Sequence, residues 1–150
     1  MLAMKRFLLC LLGGLIASFA QAQSTEKPPS GYLYKVETGV SGRQVYVSNQ
    51  RPYNLNGDLV GAGDLAAQTQ QVFENLKTAL GSVGLTLRNV KQVTYHIKGV
   101  TTQVNSALAN QVNAVSATYL TQIPGIAEMK SIPKIATDDI LVEIEVIAEK

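Results

Sequence analysis

Residues 64–97 change hydrophobic period once, and that change constrains the fold more than any other feature of the chain. Leu65, Thr69, Val72, Leu76, Leu80 and Val83 recur every three to four residues, with Phe73 and Ala79 beside them, so one face of a helix is apolar. Gln70, Gln71, Glu74 and Lys77 fall mostly off that stripe and face water. Asp64 is placed to accept from the first free backbone amides, and Gly84 to take the left-handed conformation that stops a helix. After a turn over 86–89 the period drops to two. Val93, Tyr95 and Ile97 share one side of a strand, and Gln92, Thr94 and His96 the other. A one-sided helix followed by a one-sided strand buries both apolar faces in a layer of helix on sheet.

The rest of the chain supplies partners for that unit. Tyr32, Tyr34 and Val36 alternate with Leu33, Lys35 and Glu37, and Val45 and Val47 alternate with Tyr46 and Ser48. Gly39 and Gly42 lie between the two runs, which predicts a hairpin. Pro52 ends its second strand, and a turn follows over 54–58. Val104, Leu108, Val112, Val115 and Tyr119 set a second helix over 102–120. A strand is expected over 129–135, interrupted by Pro133. The last run, 140–148, places Val142, Ile144 and Val146 on one face and Leu141, Glu143, Glu145 and Ile147 on the other. The predicted order is strand, strand, helix, strand, helix, strand, strand. This is an α+β chain whose right-handed crossovers put both helices on one face of a single sheet. The opposite face, if it carries alternating valines and isoleucines, cannot stay bare, and burial against other subunits is the simplest solution.

The first 22 residues read as a secretory leader: Lys5 and Arg6, an apolar run from Phe7 to Phe19, then a small-x-small site at Ala20 and Ala22. The run is short for a membrane span. Cleavage would remove the two charges that make the formal net charge +2, leaving a neutral chain without its one cysteine, Cys10. A neutral chain offers no electrostatic footprint for nucleic acid, and no disulfide is called for. Residues 23–31, polar and proline-rich, form a flexible spacer, and 32–150 one domain. The expected location is secreted or periplasmic, with no membrane contact after cleavage.

Few residues suggest chemistry by themselves. His96 is the one histidine, which excludes a multi-histidine metal site and limits any serine triad to that residue; a structural role is the simpler reading. No metal or cofactor is called for. Glu143 and Glu145 stand at strand spacing, either as a functional carboxylate pair or as charges that protect a strand from mispairing.

Taken in order, four segments resemble the RidA (YjgF, endoribonuclease L-PSP) family: the strand 45–52 ending Ser48-Asn49-Gln50-Arg51-Pro52, the helix 68–80 with Asn75-Leu76-Lys77, residues 85–94, and the terminal 141–148. The resemblance implies a chorismate-mutase-like homotrimer with small-molecule clefts between subunits and hydrolysis of enamines and imines to keto acids and ammonia. It implies an arginine on the penultimate strand that grips the substrate carboxylate and a glutamate on the last strand that positions water. Glu143 falls at the glutamate's place, Ser48 at a cleft serine and Tyr34 near a cleft tyrosine, while Asn49 replaces a glycine. No arginine follows Arg88, and Glu128 or Pro124 stands where the family's guanidinium is expected. Lys130 and Lys134 are nearby cations, but a point charge lacks the two-pronged grip. The expectation is therefore an exported trimer that binds a small metabolite or partner without efficient deamination, with Glu143, Tyr34, Ser48, Asn49 and Lys130 at the site. The alternative is a deaminase with a rearranged anchor such as Lys130 or Arg51.

Overall fold

A computed structural model of the protein describes residues 33–39 and 42–150, with side chains from Gln44 onward. The leader at 1–22 and the spacer at 23–31 lie outside the described residues. Five strands and two helices follow the predicted order: β1 (Leu33–Gly39), β2 (Gly42–Gln50), α1 (Leu65–Gly81), β3 (Val90–Lys98), α2 (Ser106–Tyr119), β4 (Ile126–Ile132) and β5 (Val142–Glu149). The sheet order is β1-β2-β5-β3-β4. The last strand thus inserts between the two strands joined by α1, antiparallel to both, while β3 and β4 pair in parallel.

Local chemistry sets the element ends. The Asp64 carboxylate accepts from the Ala67 amide at 3.0 Å and starts α1. Gly84 does adopt positive φ, at 74°, but the helix itself ends at Gly81, and the Leu85 amide donates back to the Leu80 carbonyl to close the turn. Leu65, Thr69, Val72, Phe73, Leu76, Ala79 and Leu80 are buried as the stripe requires. Asn105 caps α2 by accepting from the Ala107 amide at 2.8 Å, so that helix begins at Ser106 and not at 102. β4 runs three residues earlier than expected. It pairs with β3 from Ile126 and stops before Pro133, which has no N–H to give the ladder.

The core lies between sheet and helices. Val45, Val47, Val93, Ile97, Val142, Ile144 and Val146 turn inward with almost no exposed surface, against Val72, Leu76, Leu80 and Val112. α2 rests on α1, where the Phe73 and Tyr119 rings stack with centroids 4.9 Å apart and planes 9° apart. Of the expected α2 stripe only Val112 is fully buried, since this helix covers the outer part of the sheet.

The face away from the helices is not a surface of alternating valines and isoleucines. The alternation that sends Val142, Ile144 and Val146 inward sends Glu143, Glu145 and Ile147 outward, beside Tyr46, Ser48, Thr94 and His96. It is a largely polar face.

Candidate functional site on the open face of the sheet

The register gathers several of the expected site residues in one row. Glu143 on β5 stands opposite His96 on β3, and His96 stands opposite Lys130 on β4. The neighbouring row is Glu145, Thr94 and Glu128. Because residues paired across a ladder share a face, all six project from the open side.

Glu143 is the centre of the first row. It is only 7 % exposed, an unusual position for a carboxylate on a face free of helices. Arg51, the residue after β2, reaches across and donates from Nε to Glu143 Oε2 at 2.8 Å. The other oxygen, Oε1, faces His96 Nδ1 at 3.5 Å. The expected lack of a guanidinium near Glu143 is thus corrected: the planar cation comes from the end of β2, not from the penultimate strand. Its two terminal nitrogens have no partner among the described residues, and the side chain remains about a third exposed, at 35 %.

The backbone around Arg51 is fixed from behind by α1. Asn75, buried on the helix, donates to the carbonyls of Arg51 and Tyr53 at 2.8 and 2.9 Å. Gln68, two turns earlier, donates to Asp139 O and accepts from the Leu141 amide, tying down the entry to β5. Two buried amides of one helix therefore hold both segments that carry the pair. Charged side chains here would leave these carbonyls or amides unsatisfied, which is costly in a closed interior.

Ser48 is 6 % exposed and alternates with the inward Val47, so it lies on the open face. Asn49 follows at φ 52°, where the pairing of β2 with β5 slips between Val47 and Gln50. This is a bulge that needs the left-handed region, and asparagine is the side chain that tolerates it best after glycine. The departure from the family's glycine is conformationally conservative. The structure describes the Tyr34 backbone alone, at an irregularity in the β1–β2 pairing between Leu33 and Lys35. Lys130 is in the right row, but its Nζ leans 3.2 Å from Glu128 Oε2 and its root is two strands from Glu143, on the order of 10 Å away.

Tyr46 adds a polar contact to the second row. Its hydroxyl donates to Glu145 Oε2 at 2.6 Å, and this bond to the carboxylate, aided by partial burial and the negative charge, pushes the phenol up to about 12. The folded state favours the protonated phenol, so this contribution to stability is present below pH 10 and is lost as pH rises through about 12. In an ultraviolet titration, Glu145→Gln is expected to bring one late tyrosine back towards the ordinary range; an unchanged titration curve would separate the two side chains.

The chain is similar to known proteins over most of its length. The model for the family described as endoribonuclease L-PSP matches residues 25–150. The chain belongs to the RidA/YjgF family. A RutC family protein of Pyrococcus horikoshii is 29 % identical over 128 residues, covering 85 % of this chain and 94 % of that protein. Among solved structures, the Rid family protein YyfB of Yersinia pestis, of unknown function, is similar with a TM-score of 0.65 at 32 % identity, over 75 % of this chain and 83 % of that one. A shorter similarity, 46 % identity over 46 residues, relates 31 % of this chain to 36 % of the 3-aminoacrylate deaminase RutC of Acinetobacter baylyi. Glu143 and Arg51, bonded at 2.8 Å, both lie within the residues that match the RidA/YjgF family.

Arg51 and His96 were the residues hardest to assign from sequence. Arg51 is named there as one rearranged anchor among two, because nothing in the sequence says that β5 inserts next to β2. His96 is read as structural because its carboxylate neighbour comes from a strand almost fifty residues away.

Proposed function

We propose that the protein is a small-molecule site of the Rid type that hydrolyses a small enamine or imine acid, with Arg51 as a relocated carboxylate anchor. The Arg51–Glu143 pair carries this reading. Imine hydrolysis needs a cation to hold the acid group and a carboxylate beside it to position the groups that handle water, and Arg51 and Glu143 lie within one hydrogen bond of each other. A guanidinium that donates through Nε still has its terminal fork free for a second carboxylate. The local similarity to a 3-aminoacrylate deaminase is in keeping with such a substrate.

We further propose that the chain acts as an exported homotrimer, its clefts formed between open faces. The leader pattern at residues 1–22 supports export, and Ile126, Ile132 and Ile147 on the open side of the ladders support a contact there. A second reading, binding without turnover, is favoured by one observation: Glu145 and Glu128 flank the site and make its surroundings unwelcoming to an anion.

Ammonia release from 2-iminobutanoate by the purified protein separates the two. The first reading expects acceleration well above the uncatalysed rate that disappears in Glu143→Ala. A saturable ligand with no acceleration would leave the second.

A further inference from the structure

We infer that Glu143 and His96 form a dyad in which the carboxylate fixes the imidazole tautomer and His96 Nε2, not Glu143, accepts the proton of the attacking water. The inference rests on the proposed hydrolytic reading and names the base within it.

Three observations carry it. First, Glu143 is committed: Oε2 accepts from Arg51, Oε1 faces the imidazole, and the residue is 7 % exposed, so a water has little access to its lone pairs. Second, His96 Nδ1 is sealed from solvent, makes no hydrogen bond and lies 3.5 Å from Glu143 Oε1. A bare nitrogen lone pair held there would repel the carboxylate, so Nδ1 carries the proton, and closing by a few tenths of an ångström makes a charge-assisted bond. Catalytic hydrogen bonds are often this long before substrate arrives. Third, the side chain is 18 % exposed although Nδ1 is not, so the exposure falls on the remainder of the ring. With Nδ1 protonated, the neutral ring keeps its lone pair on Nε2.

The groups facing the ring are Glu143 and, one pair along, Glu145 from β5; Lys130 and Glu128 from β4; Lys98 on β3 itself; and Arg51 at the end of β2. The helices pack on the other face. Histidine is the one side chain with an ordinary pKa suited to taking and returning a proton near neutrality.

The proton inventory balances. As water adds to the carbon of an iminium, one of its protons passes to Nε2 and the C=N electron pair moves to nitrogen, giving a neutral carbinolamine. The imidazolium returns that proton to the amine. The C–N bond then breaks, the hydroxyl oxygen forms the C=O bond, and its proton leaves with ammonia as ammonium. Glu143 stabilises the transient imidazolium and acts as a positioning residue.

His96 is the one histidine in the chain, so a long-range proton–nitrogen spectrum of the wild-type protein reads it without assignment. At pH 8 the ring is expected to carry its proton on Nδ1. In the imine assay, kcat/KM of the wild type is expected to show an acid limb. His96→Gln, which still donates to Glu143 but holds no proton, is expected to lose roughly 10²–10⁴-fold in kcat and to flatten that limb with KM little changed. An Nε2–H tautomer overturns the dyad whatever the activity. Wild-type turnover that survives His96→Gln with its pH profile intact overturns the base role. An Nδ1–H ring with no imine hydrolysis supports the dyad and overturns the proposed function instead.

Discussion

Phe73→Ala is expected to lower the free energy of unfolding by about 3–5 kcal/mol, the largest stability effect of any single truncation in the core. Phe73 has no exposed surface and sits where the two helices meet, its ring stacked at 4.9 Å on that of Tyr119. Removing it costs the transfer energy of a large apolar group, the cavity left behind and the stacking itself. The cavity stays open because both walls are anchored. Tyr119 donates to Glu74 at 2.9 Å, and Val72 and Leu76 on either side are packed against the sheet. A urea titration gives the number directly, and a loss below about 1 kcal/mol would mean that the helix pair can close over the gap.

Arg51→Ala should remove the proposed activity and also destabilise the fold. Glu143 would be left almost buried with a polar partner at 3.5 Å on one oxygen and none on the other. Stranding a buried carboxylate costs several kcal/mol when its partner is equally buried. Arg51 is about a third exposed, so water can replace part of it, and a loss of about 1–3 kcal/mol is expected. The effect on turnover is larger. A charge-assisted contact to the substrate acid is worth several kcal/mol, so kcat/KM should fall by two or more orders of magnitude. Asn75→Leu is expected to act in the same direction through Arg51, because it frees the carbonyls of residues 51 and 53 that hold the loop.

How far the chain could be read from its residues depends on the range of the forces involved. The period of α1, its Asp64 cap and the two faces of β3 and β5 are local, and they appear in the structure as the patterns demand. The errors at element ends also have local causes: Asn105 capped a helix expected to start earlier, and Pro133 ended a strand expected to run past it. What the sequence did not carry is strand order. The position of β5 between β2 and β3 decides that Glu143 meets Arg51 on one side and His96 on the other. The same long-range packing buries Gln68 and Asn75, two amides that lie on the apolar stripe by angle but not by chemistry. The resemblance to a known family points to Glu143 and Ser48, which the sheet places on its open face, whereas the guanidinium bonded to Glu143 comes from the end of β2.

The most direct measurement of the central claim is kcat/KM for 2-iminobutanoate in Arg51→Lys beside the wild type. Lysine keeps the positive charge and can still reach Glu143, but it has no planar fork to hold a second carboxylate. If Arg51 is the relocated anchor, the wild type turns over and the variant loses at least tenfold, mainly through KM. Equal rates in the two proteins, or a wild type that releases no ammonia, would contradict the account.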